Sequence, residues 1–193
     1  MHIKCVIGLG NPGDEYAGNR HNVGFMIADA IAADVRAPEW REKWKGRTTR
    51  ASAWGDDLTL LEPLTYMNLS GESVQPAMAF LKVPVAQLVV VHDELDLPFG
   101  DVRLKQGGGH AGHNGLRSII GHVGADFVRV RVGVGRPPPG WRGEVADYVL
   151  SDFDASERAE LSDVIGRAVG AVRAVVEGGL AKAMKALHTK PAK

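Results

Sequence analysis

The chain has one cysteine, Cys5, in 193 residues, so no intrachain disulfide can form. Cys5 lies in the apolar run IKCVI, where it reads as a small buried hydrophobe. No apolar run approaches the roughly 20 residues of a membrane helix. The first residues, MHIKCVIGLGNPG, carry too short an apolar stretch for a secretory signal and no small-residue cleavage site. There is no G-x-S-x-G elbow, which removes the commonest strand-turn-helix serine nucleophile. Repeats, low-complexity tracts and long linkers are also missing. Neither sign of charge dominates, with 23 Lys+Arg against 23 Asp+Glu. What remains is an expectation of a cytoplasmic, single-domain globular protein, and 45% hydrophobic with 24% charged residues suits that class.

Charge is nevertheless uneven along the chain. Residues 1–100 carry a net −4, residues 101–142 a net +5 and residues 143–193 a net −1. The middle segment is a candidate anion-facing surface. A second basic cluster, WREKWKGRTTR at 40–50, reads as a solvated face on charge alone.

Hydrophobic spacing supplies the elements. Residues 3–9 read as a buried strand and residues 20–35 as a helix with apolar positions 24, 27, 28, 31 and 35. Residues 46–62 read as a hairpin turning at Gly55-Asp56-Asp57. Asn68 and Ser70 are cap-type residues ahead of the helical stripe Val74, Ala77, Met78 and Leu81, with Pro76 expected near its first turn. QLVVVH at 87–92 is a continuous apolar strand, as in a sheet covered on both faces. Residues 101–106 form a further strand and 114–123 a short helix. In FVRVRVGV at 127–134 the valines share one face and Arg129 and Arg131 the other. DASE at 154–157 resembles a capping box before a long helix with the stripe Leu161, Val164, Ile165, Ala168, Val172 and Val176. The terminal HTKPAK reads as an unstructured tail. The order predicts an α/β fold: one catalytic domain over 1–188, a twisted mixed central sheet with helices on both faces, and a tail at 189–193.

GLGNPG at 8–13 matches G-x-G-x-x-G after a strand. A dinucleotide site would want the third glycine at a helix start aimed at the pyrophosphate. Here Pro12-Gly13 reads as a turn, Asp14 and Glu15 have the wrong sign, and Gly18-Asn19 interrupts the chain again. The glycines are better explained as letting a loop leave the strand end so that Asn11, Tyr16 and His21 face one crevice.

Four stretches combine glycine with Asn, His or Asp: GNPGDEYAGNRHNVG, TYMNLSG, HDELDLPFG and GGGHAGHNGL. Each follows or ends a predicted strand, so the four are expected along one sheet edge. Within them His21 is the general-base candidate, because imidazole titrates near neutral pH. A helix N-terminus beside it would disfavour its charged form. Asp93, at the end of the VVVH strand, is placed to orient it. No side-chain nucleophile stands out, which favours attack by water, with Asn amides holding the water or the oxyanion. His21, His92, Asp93, His110 and His113 could supply metal ligands, but no zinc-type spacing is present, and no metal is expected.

These residues resemble a known family. GLGNPGDEYAGNRHNVGF, TYMNLSG, HDELDLPFGDVRLKQGGGHAGHNGL and RVRVGVGRP look like the corresponding segments of bacterial peptidyl-tRNA hydrolases, in order, from residue 3 to about 180. The resemblance implies an esterase that cuts peptide from tRNA, without cofactor, as a cytoplasmic monomer. It implies that His21 accepts the proton, Asp93 supports it, and Asn11 helps to distinguish peptidyl from free aminoacyl ends. Tyr16, Tyr66, Asn68 and Asn114 would contact the tRNA 3′ end or the peptide, and Met67 and His113 would line the crevice. Lys105 and one of Arg131 or Arg129 would grip tRNA phosphates, a footprint to which the +5 segment also points. Asn19 stands where the family usually has Thr, and Tyr66 where Phe is common. The alternative from another class is a non-catalytic module that captures tRNA 3′ ends, and a metal-dependent amidase is a third reading.

Overall fold

The opening apolar run forms β1 (Cys5–Gly8), buried at every residue. It lies between β4 (Asp56–Pro63) and β5 (Leu88–Glu94) and is parallel to both. β7 (Val128–Gly133) continues the parallel set beside β5. The remaining pairings are antiparallel, among them β3 (Gly46–Ala53) against β4 and β6 (Val102–Gln106) against β7. A short exposed strand, β2 (Arg41–Lys43), closes one edge. The computed structural model describes residues 2–189, and in them these strands form one sheet in the order β2-β3-β4-β1-β5-β7-β6.

Alternation along the central strands feeds two cores. Val6, Val89 and Val91 point to the layer formed by α1 (Val23–Asp34), α5 (Ala155–Gly178) and α6 (Leu180–His188). Cys5, Ile7, Leu88 and Val90 point to the opposite layer, formed by α2 (Gly71–Leu81) and α3 (Asn114–Val123). Each such buried aliphatic side chain contributes roughly 1.5–3 kcal/mol, and cover on both faces explains why these strands read as apolar runs. The expected α/β domain with a mixed sheet covered on both faces is therefore the fold found. Burial pushes the Cys5 thiol up to about 12, in keeping with an inert core residue. No helix among the described residues is long and apolar enough to cross a membrane.

Several local expectations need correction. The β3–β4 turn is centred on Trp54-Gly55, both at positive φ, and Asp56 already belongs to β4. Ser70 stands at the N-cap of α2 but makes no side-chain capping bond: the chain is already turning in a 3₁₀ segment at Met67–Leu69, which holds Asn68, and the Ser70 hydroxyl donates to the Met67 carbonyl. Pro76 sits inside α2, on its exposed side, rather than near its start. His188 is not part of a free tail, because it ends α6 and its Nε2 accepts the Leu104 amide hydrogen. Residues 190–193 of the predicted tail lie outside the described residues. The capping box at Asp154 and Glu157 is present as expected.

Gly8 of the opening motif and Gly24 of α1 serve close packing. A side-chain carbon at Gly8 would lie 2.3 Å from the Gly24 carbonyl oxygen, and one at Gly24 would lie 2.4 Å from the Leu9 nitrogen. Helix α1 thus rests on the end of β1 with no room for a phosphate between them. The C-terminal ends of β1, β4 and β5 open on the same edge, where sheet crevices form.

Candidate active site

His21 lies in a 3₁₀ turn (Arg20–Asn22) that leads into α1. Its Nδ1 is 2.8 Å from Asp93 Oδ2, and Asp93 stands at the C-terminal end of β5. The other carboxylate oxygen, Oδ1, is 2.8 Å from His113 Nε2. His113 caps α3: its Nδ1 accepts the amide hydrogens of Gly115 and Leu116. A backbone amide can only donate, so Nδ1 is unprotonated and the ring hydrogen sits on Nε2, facing Asp93.

Burial alone would raise the Asp93 carboxyl, but its interactions with the flanking His21 and His113 rings outweigh it and hold it well below the usual carboxylate range. An ionised Asp93 can only accept, so His21 donates from Nδ1 and, when neutral, keeps a lone pair on Nε2. Burial opposes charging His21, yet Asp93, by charge and by hydrogen bond, leaves its pKa above the ordinary 6.5. This corrects the expectation that a helix terminus would favour the neutral ring: the carboxylate at 2.8 Å prevails. Next to it, His92 donates from Nδ1 to the Asp93 carbonyl, and burial pushes its pKa down to about 3.

His21, Asp93 and His113 bring three possible metal-ligand atoms within 4.8 Å. These atoms are engaged with protein partners. The two ring nitrogens that face Asp93 carry hydrogens, and the remaining His113 nitrogen is occupied by backbone amides.

Asn11 lines the same cavity as His21 and is 7% exposed. Its Oδ1 accepts the Met67 amide hydrogen at 2.7 Å, which turns the Nδ2 hydrogens toward the cavity. Asn22, which the sequence reading passed over, clasps the Asn11 backbone from both sides: Oδ1 accepts from its N–H and Nδ2 donates to its carbonyl. The Met67 peptide and the 3₁₀ turn of His21 are thereby joined around one amide.

Asn11, His21, Asp93 and His113 line a cavity of about 640 Å³. Tyr16, Tyr66, Met67, Asn68 and Asn114 line it too, and the Tyr16 and Tyr66 rings meet edge to face at 6.5 Å. A short helix that the sequence reading missed, α4 (Val145–Val149), forms one wall. Its polar flanks hide it from periodicity. Arg20, also passed over, is a buried arginine that binds the end of this helix.

Lys105 and Arg131 do not line the cavity. On β6 and β7, Arg103 pairs with Arg131 and Lys105 with Arg129, so these four cations share one face. Lys105 is exposed. Arg131 is held by Glu94 at 2.9 Å. Arg129 is 3% exposed and gives its guanidinium hydrogens to the Gly108 and Gly109 carbonyls. That bond corrects the expected loop layout. Because β6 is antiparallel, the GGGHAGHN stretch leaves the sheet at the far edge and returns across its face, pinned by Arg129, before His113 reaches Asp93. The cluster at 40–50 is largely compensated: Lys45 pairs with Glu72, Arg47 with Asp29 and Glu62, and Arg50 with Asp57.

A sequence model of the family described as peptidyl-tRNA hydrolase matches residues 5–193. The chain is 63% identical over 190 residues to a peptidyl-tRNA hydrolase of Sorangium cellulosum, covering 98% of this chain and 85% of that one. It is 44% identical over 191 residues to one of Geobacter sulfurreducens, covering 98% and 97%. Among solved structures it is similar to an Arg119Gln mutant of the peptidyl-tRNA hydrolase of Acinetobacter baumannii, with a TM-score of 0.91, 39% identity and coverage of 99% of this chain and 97% of that one.

Proposed function

The chain belongs to the peptidyl-tRNA hydrolase family, and on that premise we propose that it hydrolyses the ester between peptide and tRNA by attack of a water activated by His21. The observation that carries the mechanism is the His21–Asp93 contact of 2.8 Å, which leaves His21 Nε2 with a lone pair at the cavity. Water gives its proton to Nε2 as its oxygen bonds to the ester carbonyl carbon. Asp93 stabilises the imidazolium that forms. The tetrahedral intermediate then collapses, the ribose oxygen leaves, and the imidazolium returns the proton to it.

Asn11 Nδ2 offers hydrogens to a substrate carbonyl. A peptidyl ester has a peptide carbonyl next to its terminal residue and a free aminoacyl ester does not, which supports a role for Asn11 in telling them apart. Tyr16 and Tyr66 offer faces on which a terminal base can stack. Lys105 and Arg131 are placed for phosphates on the neighbouring face. The reaction uses no metal or other cofactor, and the protein works as a monomer in the cytoplasm.

The test is hydrolysis of an N-acetyl-aminoacyl-tRNA beside its unblocked twin, with EDTA present. Release from the blocked form alone supports the reading. Binding of tRNA without release favours the alternative, a module that captures tRNA 3′ ends. A pure binder has no use for a base with an orienting carboxylate, which is why the hydrolase reading leads.

A further inference from the structure

The catalytic cavity has two unlike sides. Asn11, Asn68 and Asn114 offer amides, whereas α4 and the residue after it present Val145, Val149 and Leu150. Large hydrophobic side chains that stand exposed are few, and of the six among the described residues three line this cavity: Tyr66, Val145 and Leu150. The rim carboxylates Glu94 and Asp96 are each held by an arginine, Arg131 and Arg136.

Helix α4 has five residues, too few to hold its shape alone. Arg20 supplies what it lacks. The buried guanidinium donates from Nη1 to the Tyr148 carbonyl and to the carbonyl and hydroxyl of Ser151, and from Nη2 to Glu157. It also stacks 4.1 Å over the Tyr148 ring. The end of a helix, with its unpaired carbonyls, is where a cation is favoured. Arg20 immediately precedes His21, so one short turn carries both the base and the anchor of the opposing wall.

We infer that α4 and Leu150 form a subsite for the side chain of the acyl residue at the ester, that it favours apolar side chains, and that Arg20 is a positioning residue holding this wall against His21. The inference rests on the peptidyl-tRNA esterase reading. The ester carbon must lie within about 3.5 Å of the attacking water. The acyl Cα is one bond further, and its backbone amide and side chain diverge there. The amide-lined side suits the backbone, which leaves the apolar side for the side chain.

The experiment uses one tRNA body acylated chemically with N-acetylglycine or N-acetylleucine. The leucyl ester is expected to have a kcat/KM about fivefold or more above the glycyl ester, on the scale of a partly buried aliphatic side chain. Leu150→Ser is expected to bring that ratio toward one. Arg20→Lys is expected to lower it through the KM of the leucyl ester, with the acid limb of kcat unmoved because His21 and Asp93 keep their contact. If Arg20→Lys does not fold, Glu157→Gln, which keeps an acceptor and removes the charge, is read in the same way. Equal kcat/KM for both esters in the unaltered protein, or an unchanged ratio in Leu150→Ser, overturns the subsite. An equal loss of kcat on both esters in the Arg20 or Glu157 variant overturns the positioning role. Failure to hydrolyse either ester overturns the esterase reading itself and this inference with it.

Discussion

His113 Nε2 lies 2.8 Å from Asp93 Oδ1, while Nδ1 of the same ring caps the first turn of α3. The helix therefore determines which nitrogen of His113 carries the hydrogen, and that hydrogen determines how Asp93 is held. With His21 on the other oxygen, the carboxylate is gripped from both sides and cannot rotate away from His21.

Replacing His113 by Ala should act on the base through Asp93. The carboxylate loses one of its two donors and interacts more strongly with His21, whose pKa, already above 6.5, rises further. Activity needs neutral His21, so it falls as pH drops through that pKa. The acid limb of kcat should move to higher pH in the variant. Loss of the cap should also cost about 1 kcal/mol of stability. A pH–rate profile that superposes on the unaltered protein would refute the link.

His21→Ala should lower kcat by about 100-fold or more, the usual scale for a general base, with KM little changed. The measurement is steady-state hydrolysis of N-acetyl-aminoacyl-tRNA. Near-normal turnover would remove His21 from the mechanism.

The cations of β6 and β7 should separate by function. Lys105→Ala should raise KM and flatten the dependence of binding on salt by roughly one phosphate contact. Arg131→Ala should do the same to a smaller extent, because Glu94 already engages its guanidinium. Arg129→Ala should lower the melting temperature with the salt slope intact, since its hydrogens go to Gly108 and Gly109. A flattened slope in the Arg129 variant would reverse that assignment.

His92 should make stability depend on pH. Its folded-state pKa is about 3, against an ordinary 6.5. As pH falls through 6.5 the unfolded chain takes up a proton that the folded chain refuses until about 3, so stability is lost across that window. His21 works in the opposite direction: its raised value contributes stability below 6.5 that is lost as pH rises through the folded pKa. Comparison with His92→Asn cancels that contribution. The melting-temperature advantage of the unaltered protein over the variant should shrink between pH 7 and pH 4.5, and parallel curves would contradict the assignment.

Much of this molecule can be read along the chain. The bounds of α3, the Asp154 capping box and the doubly covered strands all follow from spacing within a few residues, because helix and strand periodicity are local properties. His21, Asp93 and Asn11 are legible because their chemistry concentrates in glycine-rich loops after strands, where sheet crevices form. The tautomer of His113, the clasp of Asn22 on Asn11, the grip of Arg20 on α4 and the return of residues 107–113 across the sheet are not legible in that way. Each depends on which group lies opposite a side chain in space: His21 meets Asp93 across 72 positions, and Arg20 meets Glu157 across 137. Residue types and local order came from sequence alone. The tertiary structure decided which nitrogen carries a hydrogen and which cation is free, because a hydrogen bond is a property of the pair.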